Sequence, residues 1–180
     1  GQPKKTAYAE GEKFDPNGIL MLAKIDGEEQ MRYIRSGFQC RPETLKTSDT
    51  SVTITYYGQT ISIPVTVSAK IPKKLEIYEE QNRRYTAGTR LDLSEVKVRI
   101  TYSNEEKSTW ITETEFDQYQ IHLAKKAVDS QSFISVEKTQ TLSSSDNGSV
   151  YYLYAGSVLP DKYNAVSCRL GTVTIQASLQ

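Results

Sequence analysis

The sequence predicts an all-β chain built as two tandem antiparallel β-sandwich domains, the second enlarged by insertions. Three observations lead there. A block near the start recurs without a gap 77 positions on (8 to 85, 11 to 88, 15 to 92). Both copies carry apolar residues at every second position, and turn-forming dipeptides separate the alternating runs. At 180 residues the chain has room for one large domain or two small ones. The repeat decides for two, residues 1–69 and 70–180.

Each copy opens on a Tyr-x-x-Gly-x-x-apolar-Asp run, Tyr8 to Phe14-Asp15 and Tyr85 to Leu91-Asp92. A short carboxylate just before a strand can accept from neighbouring backbone N–H groups, so Asp15 and Asp92 are expected to share a structural role. A period-2 strand follows, with Ile19, Met21, Ala23 and Ile25 in the first copy and Val96, Val98, Ile100 and Tyr102 in the second. Leu20 and Leu22 point the other way, so the first of these strands is apolar on both faces. Its outer face is expected to lie under a loop, the second domain or a neighbour.

Asp26-Gly27 and Ser103-Asn104 are turn dipeptides, and return strands are expected at 30–35 and 107–112. They place Tyr33 and Trp110 at equivalent positions, both expected in the cores. The first copy closes with Val52 to Tyr56, a turn at 57–59, and Ile61 to Val67. Pro64 falls on the outward phase and marks an edge strand or a bulge. Pro72-Lys73-Lys74 then restarts the Pro3-Lys4-Lys5 pattern.

The extra length of the second copy falls between Thr112 and 148, and again around 157–165. In the first insertion, Phe133 to Leu142 is rich in β-formers and Ser143 to Gly148 is a turn-forming run, so with Val150 to Tyr154 it reads as a hairpin. Ile121, Ala124 and Val128 recur at helical spacing and predict a short helix there.

The order Pro-Lys-Lys, Tyr-x-x-Gly-x-x-apolar-Asp, alternating strand, Ile-Asp-Gly or Tyr-Ser-Asn turn, and Val52-Thr-Ile-Thr-Tyr-Tyr-Gly-Gln-Thr-Ile-Ser-Ile-Pro-Val-Thr-Val67 resembles the bacterial immunoglobulin-like domains, group 3. Residues 3–68 carry the resemblance throughout. The second copy carries it from Ile71 to Ile111 and then departs, because 150–176 lacks the compact Tyr-Tyr-Gly hairpin. The resemblance implies tandem modules of a bacterial cell-surface or secreted protein, extracellular, acting as spacer or adhesion segments. It implies no active site and no cofactor, with neighbouring domains and a host protein or glycan as expected partners.

Composition excludes several classes. Lys+Arg and Asp+Glu both number 22, and the basic pairs are interleaved with carboxylates, so no single-sign stripe exists for nucleic acid. The longest apolar stretch, Ile19 to Ala23, is far below a membrane span, and a soluble monomer is expected. The chain opens on Gly1 without Met or leader and is expected to begin after a processing or cloning event.

Chemistry finds little to build on. The one histidine, His122, has no nucleophile elbow to serve, and Cys40, Cys168 and His122 lie in separate segments without metal-ligand spacing, so neither an enzyme nor a metal site is expected. Two idle thiols are expected rather than a disulfide. The Ser145-Asp146-Asn147 and Glu113 to Asp117 loops carry oxygens for calcium, but their spacing fits no EF loop and turn chemistry accounts for the first. A Lys–Asn cross-link between strands remains open, with no pair singled out. Leu159-Pro160-Asp161 is no sorting signal, and Asn147-Gly148-Ser149 is a glycosylation sequon only in a eukaryotic host.

Tyrosine is enriched, 12 of 180. Tyr152 and Tyr154 share one strand face, and with Tyr163 they form a candidate aromatic platform for a sugar ring or a protein contact. That makes a carbohydrate-binding accessory module of a secreted glycan-degrading enzyme the alternative reading. Core packing of one of these tyrosines is the competing account.

Overall fold

The structure, a computed structural model, describes residues 1–24 and 26–177. The fourth apolar position of the first alternating strand, Ile25, lies outside the described residues. The chain is all-β. It divides into two compact units, Gly1–Lys70 and Ile71–Gln180.

In unit 1, β1 (Ala7–Ala9) pairs in parallel with β7 (Thr66–Ser68), β2 (Met21–Lys24) pairs with β3 (Met31–Ile34), and β4 (Gln39–Arg41), β5 (Ser51–Tyr56) and β6 (Gln59–Pro64) form an antiparallel sheet. Alternation builds the core. Val52 and Ile54 of β5 are fully buried between exposed Ser51 and Thr53, and they meet Tyr8, Phe14, Ile19, Leu45, Ile63 and Val65. Pro64 ends β6, which pairs with β5 alone, so its missing N–H falls on an edge.

Unit 2 holds two sheets facing each other across one core, the arrangement of a β-sandwich. One sheet runs β11 (Ile111–Thr112), β10 (Lys97–Tyr102), β8 (Pro72–Ile77). The other runs β13 (Ile134–Val136), β12 (Ile121–Lys126), β14 (Val150–Ala155), β15 (Ser167–Gln176), β9 (Arg83–Thr86), with β9 parallel to β15. Leu75, Val98, Ile100 and Ile111 from the first pack on Ile121, Leu123, Tyr151, Leu153 and Leu170 from the second.

The Tyr-x-x-Gly-x-x-apolar-Asp run adopts the same hydrogen bonds in each unit. The Tyr8 hydroxyl accepts from Asp15 N–H (3.1 Å) and the Tyr85 hydroxyl from Asp92 N–H (3.2 Å). Asp15 in turn accepts from Asn17 N–H and Asp92 from Ser94 N–H, both at 3.0 Å, so both carboxylates cap backbone as their position suggests. Gly11 and Gly88 both take φ 89, a left-handed turn that glycine adopts without steric cost. Gly11 N–H donates to Leu45 O and Gly88 N–H to Leu142 O, each at 2.8 Å.

Four expectations change. Tyr33 is 66% exposed and Trp110 lies outside the unit 2 core. The registers Met21↔Ile34 and Val98↔Ile111 turn the isoleucines inward, and period 2 then turns the preceding aromatic outward. The return strand over 107–112 is regular only at Ile111–Thr112. Residues 121–126 are strand β12 and not a helix; Ile121 and Leu123 face the main core, while Ala124 is buried on the opposite face, which mimicked helical spacing. Finally, β13 pairs with β12 and not with β14, which sits between β12 and β15.

Candidate functional site

Strand β14 is buried on both faces. Tyr151, Leu153 and Ala155 enter the main core, while Tyr152 and Tyr154 point the other way, with Ala124 of β12 opposite Tyr152. The two inserted segments close over this outer face. The first brings Phe133, the second Leu159, and Phe133 N–H donates to Asp161 O at 3.0 Å, joining them. A second, smaller core results from Ala124, Phe133 and Tyr154, with Tyr152 and Leu159 against it.

This cover sorts the three candidate platform residues. Tyr154 is only 5% exposed, its ring 5.3 Å from that of His122, so it presents no open face. Tyr152 is half-buried, its ring 4.6 Å from Phe133 and 6.1 Å from Tyr163. Tyr163 is 62% exposed and is the ring of the three that solvent reaches freely. Tyr152 and Tyr163 therefore come together, with Phe133 backing Tyr152, and Tyr154 lies beneath the inserted segments.

A second aromatic surface sits on the β10 sheet. Tyr78 and Trp110 meet edge to face at 5.3 Å, and the Arg99 guanidinium lies 4.6 Å from the Trp110 ring centre. Arg99 also donates to Glu76 at 3.2 Å, and Lys97 approaches the Tyr78 ring at 5.7 Å. Sequence reasoning missed this cluster by assigning Trp110 to the core. The inward phase of Ile111 is the signal that places Trp110 outside.

The loop oxygens are used by the fold. Asp146 is buried and accepts from Ser143 N–H (2.7 Å), the Lys125 ammonium (2.9 Å) and the Tyr151 hydroxyl (3.2 Å). Burial pushes its carboxyl upward, but the Lys125 and Ser143 hydrogen bonds outweigh it and hold the group below the usual aspartate range. Asn147 accepts from Ile175 N–H at 2.9 Å. Among the described residues, no three His, Cys, Asp or Glu side chains converge to hold a metal ion.

Cys40 and Cys168 are free thiols. Burial pushes the Cys168 thiol up to about 12, against a partly offsetting backbone hydrogen bond at Leu153, so it stays protonated and weakly nucleophilic near neutrality. Chemically, then, the exposed rings offer stacking faces and hydroxyls, with a cation and a carboxylate beside Trp110.

No family model and no curated protein matches the chain.

Proposed function

We propose that the chain is a pair of immunoglobulin-like modules of the bacterial group 3 kind, a non-enzymatic, extracellular part of a surface or secreted protein that serves as a spacer or adhesion segment. The observation carrying this reading is a parallel pairing, in each unit, between an early strand and the closing strand. In unit 1 the opening strand β1 runs parallel to the closing strand β7; in unit 2, β9 runs parallel to the closing strand β15. Tension applied through both ends of a unit loads such a ladder in shear, so its hydrogen bonds must yield together. An antiparallel pair pulled from one end opens bond by bond. The recurring Tyr–Asp turn adds support for two copies of one module.

Single-molecule stretching of residues 1–180 tests the proposal. Two high-force events are expected, and Thr66→Pro should lower one of them, because Thr66 N–H donates to Thr6 O (2.9 Å) in the β1–β7 ladder. Forced rupture reads the unfolding rate, so it responds to this ladder more directly than equilibrium stability does. Extension without force peaks, or unchanged peaks in the variant, would refute the load-bearing reading.

The exposed Tyr163 ring beside Tyr152 favours carbohydrate binding as a second reading. A multimerised chain retained on a glycan panel, with retention lost in Tyr163→Ala, would support it. Retention unchanged by Tyr163→Ala and Tyr152→Ala would remove it.

A further inference from the structure

Charges that are interleaved along the sequence are sorted by the pleat onto one face of unit 2. In the sheet of β8, β10 and β11, Leu75, Val98 and Ile111 enter the core, so Lys74, Glu76, Lys97, Arg99 and Trp110 take the outer face. Lys74 and Lys107 flank Thr101 from either side, which brings Lys107 onto that face as well. At the paired positions, Lys74, Lys97, Arg99 and Lys107 therefore share the face with the carboxylate of Glu76 alone.

The aromatic pair at the centre of this face is held in place. Glu76 Oε2 accepts from Arg99 Nε (3.3 Å) and Nη2 (3.2 Å), and the guanidinium so fixed lies 4.6 Å from the Trp110 ring centre. Tyr78 meets the indole edge to face at 5.3 Å. Trp110 is half-buried and Tyr78 is 65% exposed, so both rings are ordered by neighbours and still reach solvent. Rings ordered before a ligand arrives lose little freedom on binding. Ammonium groups surround them. Lys97 lies 5.7 Å from the Tyr78 ring centre and Lys74 3.4 Å from Glu76 Oε1, and Lys74, Lys97 and Lys107 are all exposed.

We propose that this face binds an anionic polysaccharide, one whose sugar rings carry a carboxylate or a sulfate. A pyranose presents an apolar face of C–H groups that stacks on an aromatic ring, and its charged substituent then meets the cations at the rim. Outward positions along a strand recur about every 7 Å, so the cations from Lys97 through Arg99 to the Lys74 and Lys107 row extend over about 14 Å. That spread matches a polymer of like charges better than a single ion. Strand β10 is paired on both sides, so the face offers side chains and no open main-chain ladder, which favours a sugar over an extended acidic peptide. The site goes beyond the carbohydrate reading at Tyr163, because Tyr152 and Tyr163 lie outside the opposite sheet.

Trp110, the chain's one tryptophan, reports on this face directly. Its fluorescence in residues 1–180 is titrated with heparin oligosaccharides for sulfate, oligogalacturonate for carboxylate, dextran as a neutral glycan and poly-glutamate as an acidic peptide. A saturating change is expected with at least one of the two charged glycans, and the one that binds names the anionic group. Its Kd should rise about tenfold or more in the double variant Lys74→Gln, Lys97→Gln, and also in Tyr78→Ala, which leaves the charge untouched. Circular dichroism checks the fold of each variant, and Tyr163→Ala should bind as the native chain does. No binding of either charged glycan, equal binding of dextran or poly-glutamate, or an affinity unmoved by Tyr78→Ala overturns the proposal. Loss of binding in Tyr163→Ala overturns it too and moves the glycan to the opposite face.

Discussion

Replacing Asp146 by alanine removes the polar centre on which unit 2 closes. Four donors lose their acceptor, of which the Ser143 hydroxyl keeps a partner in the Ser145 hydroxyl. Ser143 N–H loses a cap at the start of the 3-10 turn Ser144–Asp146, costing about 1 kcal/mol. The Tyr151 hydroxyl, on a residue 2% exposed, is left without its carboxylate, costing about 1–3 kcal/mol. Lys125 adds little, since its side chain keeps 21% exposure and can turn its ammonium to water. The expected loss is about 2–4 kcal/mol from these contributions together.

Urea unfolding followed by Trp110 measures this loss in unit 2 alone, because it is the chain's one tryptophan. The pH dependence carries a sign. The folded carboxyl titrates below its ordinary value of 3.8, so its contribution is fully present above that value and is lost as pH falls through the depressed folded value. The gap between the native protein and Asp146→Ala should therefore be widest above pH 5 and narrow below about 4. Asp146→Asn, which keeps an oxygen acceptor, should lose less. A loss under about 1 kcal/mol, or a gap independent of pH, would refute the reasoning.

Three further outcomes follow from the same geometry. Gly171 takes φ 152, and an added Cβ would lie 2.2 Å from Gln81 O, so Gly171→Ala should cost about 3 kcal/mol or more in the same unfolding assay. Cys168 should resist a thiol reagent at pH 8 until urea unfolds unit 2, while half-buried Cys40 reacts slowly in the native state; rapid native labelling of Cys168 would contradict its burial. Tyr8→Phe and Tyr85→Phe should each cost about 1 kcal/mol, with Tyr8 the larger because its hydroxyl also donates to Lys5 O, and equal null effects would count against the shared turn.

By itself the sequence determined the strands that alternate against water: β2, β5, β6 and β10 lie where period 2 places them, because such a strand shows its inward face directly in composition. It also determined the turn in which Asp15 and Asp92 cap backbone, since the bonds span only a few residues. Where a strand is buried on both faces the period disappears, and β12 read as a helix for that reason. Which edge pairs with which was decided only by the tertiary structure. The β13–β12 pairing and the burial of Tyr154 under two segments distant in sequence both depend on contacts between residues far apart along the chain. Local patterning sets which way a side chain points; only the assembled sheets set what, if anything, lies there to meet it.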